Sequence, residues 1–142
     1  MKIIRRASAE WKGTGKEGVG HVSTRSKALD SVPYNFEMRF GDKAGTNPEE
    51  LIGAAHAACY SMKLSFVLNE MGYVADQIDT NTAVTLEDGK VSHILLSTRC
   101  IVPGISKVDF NKAAIDARDN CPISLLLNAE IGLEAELITE KE

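Results

Sequence analysis

Thr46-Asn47-Pro48-Glu49-Glu50-Leu51-Ile52-Gly53-Ala54-Ala55-His56-Ala57-Ala58-Cys59-Tyr60-Ser61-Met62 is the stretch on which the reading of this chain turns. It opens with a capping side chain, a proline in the first turn and two acids where a helix dipole is positive. Residues 51–59 are then almost entirely small or apolar, and the pattern runs to about Met71, where Gly72 supplies the stop. A helix of about 24 residues is about 36 Å long at 1.5 Å per residue. A helix that is apolar all round is buried on most sides. One small domain can hardly cover so much of it, so the pattern predicts that two copies of the chain pair.

Upstream, residues 2–11 and 21–26 read as strands, separated by a turn region holding Gly13, Gly15, Gly18 and Gly20. Residues 34–40 alternate, with Tyr34, Phe36, Met38 and Phe40 on one face and Asn35, Glu37 and Arg39 on the other. That period predicts a half-buried strand carrying Arg39 on its polar side. Downstream, residues 78–86 alternate, Glu87-Asp88-Gly89-Lys90 turns, and residues 91–102 return as a hairpin. A helix is expected over 106–120. Pro122 interrupts it, because proline lacks the interior helical donor, and starts a short helix to about residue 128. Ile131, Leu133, Ala135 and Leu137 alternate in a last strand. The fold class is therefore α+β, antiparallel sheets around one long buried helix, in a single domain over 1–142.

The 142 residues suit one domain, and 44% hydrophobic with 25% charged is ordinary for a globular chain. A net charge of −4 with no basic run argues against nucleic-acid partners. The sequence reads as having no apolar stretch of the roughly 18 residues a membrane span needs, and Met1-Lys2-Ile3-Ile4-Arg5-Arg6 lacks the apolar segment of a signal peptide. The expected place is the cytoplasm, without a membrane partner.

Three cysteines, at 59, 100 and 121, form no Cys-x-x-Cys pair, and a reducing compartment keeps them as thiols. Cys100 shares strand parity with Ile94, Leu96, Thr98 and Val102, which makes it a packing residue. Cys121 precedes Pro122 at the start of a short helix, where the positive dipole end favours a thiolate. Cys59 lies in mid-helix among alanines with no terminus to help it ionise. Local physics therefore nominates Cys121 over Cys59. His56 lies one turn before Cys59 on the same face. With Cys59 and Cys121 it offers imidazole and thiolate donors for a metal, but three residues without compact spacing make a weak ligand set. A packed, hydrogen-bonded histidine is the plainer reading.

The stretch at 46–62 resembles the signature of the OsmC/Ohr family (osmotically inducible protein C and organic hydroperoxide resistance proteins). Asn120-Cys121-Pro122-Ile123-Ser124 matches the family's second cysteine motif. Ala9-Glu10-Trp11, Gly20-His21-Val22-Ser23-Thr24 and residues 34–40 resemble its OsmC branch. The resemblance implies a homodimeric, cofactor-free, thiol-dependent peroxidase of stress defence. Cys59 falls on the peroxidatic position and Cys121 on the resolving one, reversing the local preference. Arg39 and Glu49 fall on the charged pair, Arg39 to stabilise the thiolate and Glu49 to orient Arg39.

On that footing Cys59 attacks an organic hydroperoxide, becomes a sulfenic acid and condenses with Cys121 to a disulfide. A dithiol, dihydrolipoyl groups in the Ohr branch, reopens the bond by exchange. Ala55, Ala58 and Met62 would wall an apolar site favouring alkyl or fatty-acid hydroperoxides over hydrogen peroxide. Glu49 and Cys59 are ten residues apart, about 15 Å along an unbroken helix, so the site is expected to be shared across the dimer interface. The competing reading is a metal- or apolar-ligand-binding dimer that uses His56, Cys59 and Cys121 without turnover.

Overall fold

The computed structural model describes residues 1–139. The chain forms two compact units, one over Met1–Leu51 and one from Ile52 onward.

In the first unit β1 (Ala7–Lys12), β2 (Val19–Thr24) and β3 (Val32–Tyr34) form an antiparallel sheet in that order. Its register aligns Trp11, Gly20 and Tyr34 across the three strands. A Cβ on Gly20 would lie 2.6 Å from both flanking rings. Only glycine lets Trp11 and Tyr34 close over it to 5.5 Å between centroids.

The strand expected over 34–40 stops at Tyr34, and Phe36–Phe40 is a short helix, α1. Asn35 Oδ1 accepts from the Met38 N–H at 2.9 Å and so caps it. Phe36 and Phe40, one turn apart, pack with centroids 4.9 Å from each other. An apolar residue at every second position also supplies an i, i+4 pair, and the local cap decides between the two periods. Arg39 consequently lies in the last turn of a helix rather than on the polar face of a strand.

The long helix, α2 (Pro48–Glu70), meets its expected bounds. Asn47 Oδ1 accepts from the Glu50 N–H at 2.8 Å, with Pro48 at the first helical position. Gly72, at φ +91°, ends it. The Gly72 N–H reaches Asn69 O at 3.0 Å and the Tyr73 N–H reaches Leu68 O at 2.9 Å, the paired bonds of a left-handed helix stop.

In the second unit β4 (Gln77–Glu87) and β5 (Lys90–Ile101) form the expected hairpin, turning through Asp88 and Gly89, both at positive φ. Next come α3 (Lys107–Asn120), capped by Ser106, and α4 (Pro122–Leu126), then β6 (Glu130–Ile138). β6 pairs with β5 in parallel, so this sheet is mixed rather than wholly antiparallel. Alternation fixes which residues face inward but carries no strand direction. The intervening α3–α4 crossover returns the chain at the end from which β5 starts.

Within this unit Tyr60, Leu64 and Leu68 of α2 meet Leu96 and Cys100 of β5 and Phe110 of α3 in one wholly buried cluster. Each such large apolar side chain contributes about 1.5–3 kcal/mol by leaving water. A Cβ on Gly53 would lie 2.7 Å from Thr82 Oγ1, so glycine permits the close approach of α2 to β4. Tyr60 OH donates to Ala114 O at 3.0 Å and Ser61 Oγ to Thr80 Oγ1 at 2.8 Å.

Burial on α2 follows a single stripe, Gly53, His56, Tyr60, Leu64, Val67 and Leu68. Met62 and Phe66 stay 65% and 58% exposed, so a lone chain does not cover the helix on most sides. α2 is also long and apolar enough to cross a membrane by length and composition, against the expectation that no stretch is. Its buried stripe makes it a core helix of this unit.

Candidate active site

Cys121 is at once the last cap of α3 and the first of α4, because Pro122 ends one helix and starts the next. Its N–H closes on Ala117 O at 2.9 Å. From this corner its sulfur reaches to 3.0 Å from that of Cys59 on α2, and both are free thiols. A disulfide forms at about 2.05 Å, so the two need only about one ångström of approach. One turn earlier on α2, His56 Nε2 and Ser124 Oγ share a 2.7 Å hydrogen bond that ties α4 to α2 beside the thiols.

His56 is wholly buried, and its Nδ1 has no partner among the described residues. Burial lowers its pKa, so the ring is neutral at physiological pH. This is the packed, hydrogen-bonded histidine of the plainer reading. Among the described residues no group of three or more His, Cys, Asp or Glu side chains is placed to hold a metal ion. The grouping of His56, Cys59 and Cys121 as ligands therefore gains nothing from the geometry.

Sequence reasoning gave the positive end of α4 to Cys121 and left Cys59 with no helix terminus. The structure differs: the backbone N–H of Ile123, in the first turn of α4, hydrogen-bonds the sulfur of Cys59 and favours its thiolate. Lys63, one turn further along α2, favours it too. Both are outweighed. Burial pushes the Cys59 thiol above its ordinary value, and the adjacent Cys121 sulfur adds to the rise. Lys63 was legible in the sequence as an i, i+4 neighbour and was missed. The Ile123 contact depends on how α4 docks, which no local pattern states.

Arg39 and Glu49 meet within the first unit. Arg39 Nε donates to Glu49 Oε1 at 3.0 Å and to Oε2 at 3.2 Å, and Nη2 donates to Oε1 at 2.7 Å. This forked pairing fixes the plane of the guanidinium. Its Cζ lies 5.1 Å from the centroid of the Phe40 ring. The Glu49 side chain is 13% exposed and that of Arg39 39%. Nη1 keeps no protein partner among the described residues. The pair thus holds one donating edge free for a ligand or a thiolate.

Ala55, Ala58 and Met62 lie at i, i+3 and i+7 on the exposed side of α2. Cys100 is wholly buried in the core, 3.4 Å from Thr98 Oγ1, and burial pushes its thiol up, as suits an inert packing residue. His21 meets Glu10 at 3.4 Å.

Residues 41–136 match the family described as OsmC-like protein. The chain is 44% identical over 141 residues to peroxiredoxin OsmC of Escherichia coli, covering 96% of this chain and 99% of that protein. It is 31% identical over 129 residues to the organic hydroperoxide resistance protein of Xanthomonas axonopodis pv. citri, covering 87% of each. The crystal structure of the organic hydroperoxide resistance protein OhrB of Bacillus subtilis superposes with a TM-score of 0.67 at 22% identity, covering 94% of this chain and 98% of that one.

Proposed function

The chain belongs to the OsmC-like family, and from that premise we propose that it is a peroxidase reducing organic hydroperoxides to alcohols through Cys59 and Cys121. The observation that carries this reading is the 3.0 Å approach of the two sulfurs, supported by relatives named peroxiredoxin and organic hydroperoxide resistance protein.

The Cys59 thiolate attacks one oxygen of ROOH. The O–O bond breaks, RO⁻ leaves and takes a proton, and Cys59 is left as a sulfenic acid. The Cys121 sulfur attacks the Cys59 sulfur, water departs, and a 59–121 disulfide forms. A dithiol returns both thiols by two exchange steps and is itself oxidised to a disulfide. A dihydrolipoyl group is the reductant the family resemblance favours. Balance is closed: ROOH and a dithiol give ROH, water and a disulfide.

The thiolate needs a cation, since burial holds Cys59 protonated beyond its ordinary range. Arg39, oriented by Glu49 and with Nη1 free, is that cation, and it also meets the charge developing on the leaving alkoxide. α2 is continuous from Pro48 to Glu70, which puts about 15 Å of helix between Glu49 and Cys59. The pair that serves Cys59 therefore comes from a second copy, in a homodimer. Exposed Met62 and Phe66, one turn apart on α2, and exposed Leu125 and Leu126 on α4 support pairing, because such apolar side chains are covered when two copies associate. The working place of the enzyme is the cytoplasm, whose reducing pool keeps the thiols ready.

Steady-state rates with alkyl hydroperoxides against hydrogen peroxide, using dihydrolipoamide and thioredoxin in turn, test the activity. After one equivalent of peroxide, non-reducing mass measurement should find a mass lower by two hydrogens and a peptide joining 59 to 121. Unchanged thiols under excess hydroperoxide would end the proposal.

A further inference from the structure

α2 and α4 meet at two points in reversed chain order, His56 with Ser124 and Cys59 with Cys121. The partners are three residues apart on each side, so the contacts form two rungs between the same segments. At one rung His56 Nε2 and Ser124 Oγ share a hydrogen bond of 2.7 Å, and at the other the sulfurs stand 3.0 Å apart. The thiol rung is lost when Cys59 is oxidised and is remade as a covalent bond. The His56–Ser124 rung takes part in no bond change of the proposed reaction.

α4 has little else to hold it. Its five residues are too few for a helix to persist unaided, and none of them is buried. Leu125 and Leu126 are 70% and 73% exposed. Ile123 packs against the core, and Ser124 makes the one side-chain hydrogen bond of α4 among the described residues. His56 is a firm anchor by contrast, wholly buried in the stripe that α2 turns to the core. Its Nδ1 has no partner among the described residues. A buried N–H without an acceptor is the costlier orphan, which places the ring proton on Nε2 and makes the ring the donor to Ser124 Oγ.

We propose that His56 and Ser124 are positioning residues of the resolving step, their hydrogen bond keeping α4 seated on α2 while Cys59 is a sulfenic acid. The inference rests on the peroxidase reading. In that state two reactions compete. Attack of the Cys121 sulfur on Cys59 releases water and gives the disulfide. Attack of the Cys59 sulfur on a second ROOH breaks its O–O bond, releases ROH and leaves a sulfinic acid, which dithiol exchange does not reverse. The sulfurs have about one ångström to close, and a misplacement of that size is enough to lose the competition. Both residues act through the placement of Cys121.

The test is a partition ratio. Each chain receives one equivalent of cumene hydroperoxide with dimedone present, and mass measurement compares dimedone-trapped Cys59 with the 59–121 disulfide. The ratio of trapped to disulfide is expected to rise about tenfold in Ser124→Ala, the scale for one lost hydrogen bond, and to return toward wild type in Ser124→Thr. His56→Leu should raise it as much, and adding it to Ser124→Ala should raise it little further, since the same bond is lost. With excess hydroperoxide, Ser124→Ala should also gain two oxygens on Cys59 in about tenfold fewer turnovers.

An unchanged ratio in Ser124→Ala, no recovery in Ser124→Thr, or fully additive substitutions would overturn the positioning role and leave the peroxidase reading standing. So would an equal fall in alcohol release and in disulfide, the mark of a chain that has lost its fold rather than its alignment. A wild type that releases no alcohol removes the peroxidase reading and this inference with it.

Discussion

The proposed reaction draws on two side-chain pairs, one in each unit, and they are unlike in a telling way. In the second unit Cys59 and Cys121 lie 3.0 Å apart on packed helices, with burial pushing Cys59 toward its neutral form. In the first unit Arg39 and Glu49 form a forked ion pair with one donating edge left over. The thiols have partners for the second chemical step but a poor setting for the first. The guanidinium has the charge that the first step wants and no nucleophile in its own unit. In the proposed reaction each pair supplies one half of the site.

The sharpest way to break this division is at the sulfur. Cys59→Ser should abolish peroxide consumption altogether, measured as loss of reductant oxidation. Next in size is the cation. Arg39→Met should lower kcat/KM by about 10²–10³, the scale for removing one preorganised charge at a developing oxyanion. It should also raise the pH at which the Cys59 thiolate appears in an ultraviolet titration. Arg39→Lys should recover little, because an ammonium lacks the fork that Glu49 holds. Were Arg39→Met to leave both rate and titration unchanged, the thiolate would be held by Lys63 and the Ile123 N–H alone. Cys121→Ser should complete one turnover and then stop at a sulfenic acid, countable by a burst of one alcohol per chain. Glu49→Gln should cost about tenfold in kcat/KM, since it loosens the guanidinium without removing it.

The smallest effect concerns stability. His56 is neutral and buried when folded, while unfolded it takes a proton below about pH 6.5. The unfolded state therefore binds more protons as pH falls, and folding loses up to about 1.4 kcal/mol per pH unit below that point. Denaturant midpoints from pH 7 to pH 5 should decline less in His56→Asn than in the wild type.

Legibility in the sequence divides by whether an element carries its own end signals. α2 and the β4–β5 hairpin could be read to within a residue or two because each end carries its own signal: Asn47 with Pro48, the stop at Gly72, the turn at Asp88-Gly89. Residues 34–40 could not, since Phe36 and Phe40 satisfy both a two-residue and a four-residue period, and only Asn35 as a cap resolves them. β6 kept its predicted residues and lost its predicted direction, because alternation is the same read either way.

Within the candidate site, the pairing of Cys121 with Cys59 across 62 residues of sequence came from the family resemblance, the residues alone offering only a weak ligand set with His56. Local charge reasoning favoured Cys121, whereas the family resemblance favours Cys59. The charge reasoning assigned the α4 dipole to the residue that begins the helix, whereas packing aims the Ile123 N–H at the neighbour on α2.

Subunit mixing tests most directly whether the two half-sites are completed by a second copy. Arg39→Met and Cys59→Ser chains, each nearly inactive alone, are unfolded together and refolded in equal amounts. In a two-fold dimer the mixed species then joins one intact Arg39 to the partner's intact Cys59. About a quarter of wild-type activity per chain should return, since half the dimers are mixed and each holds one complete site. A mixture no more active than its two parents would mean that cation and sulfur act within a single chain, and the account would fail.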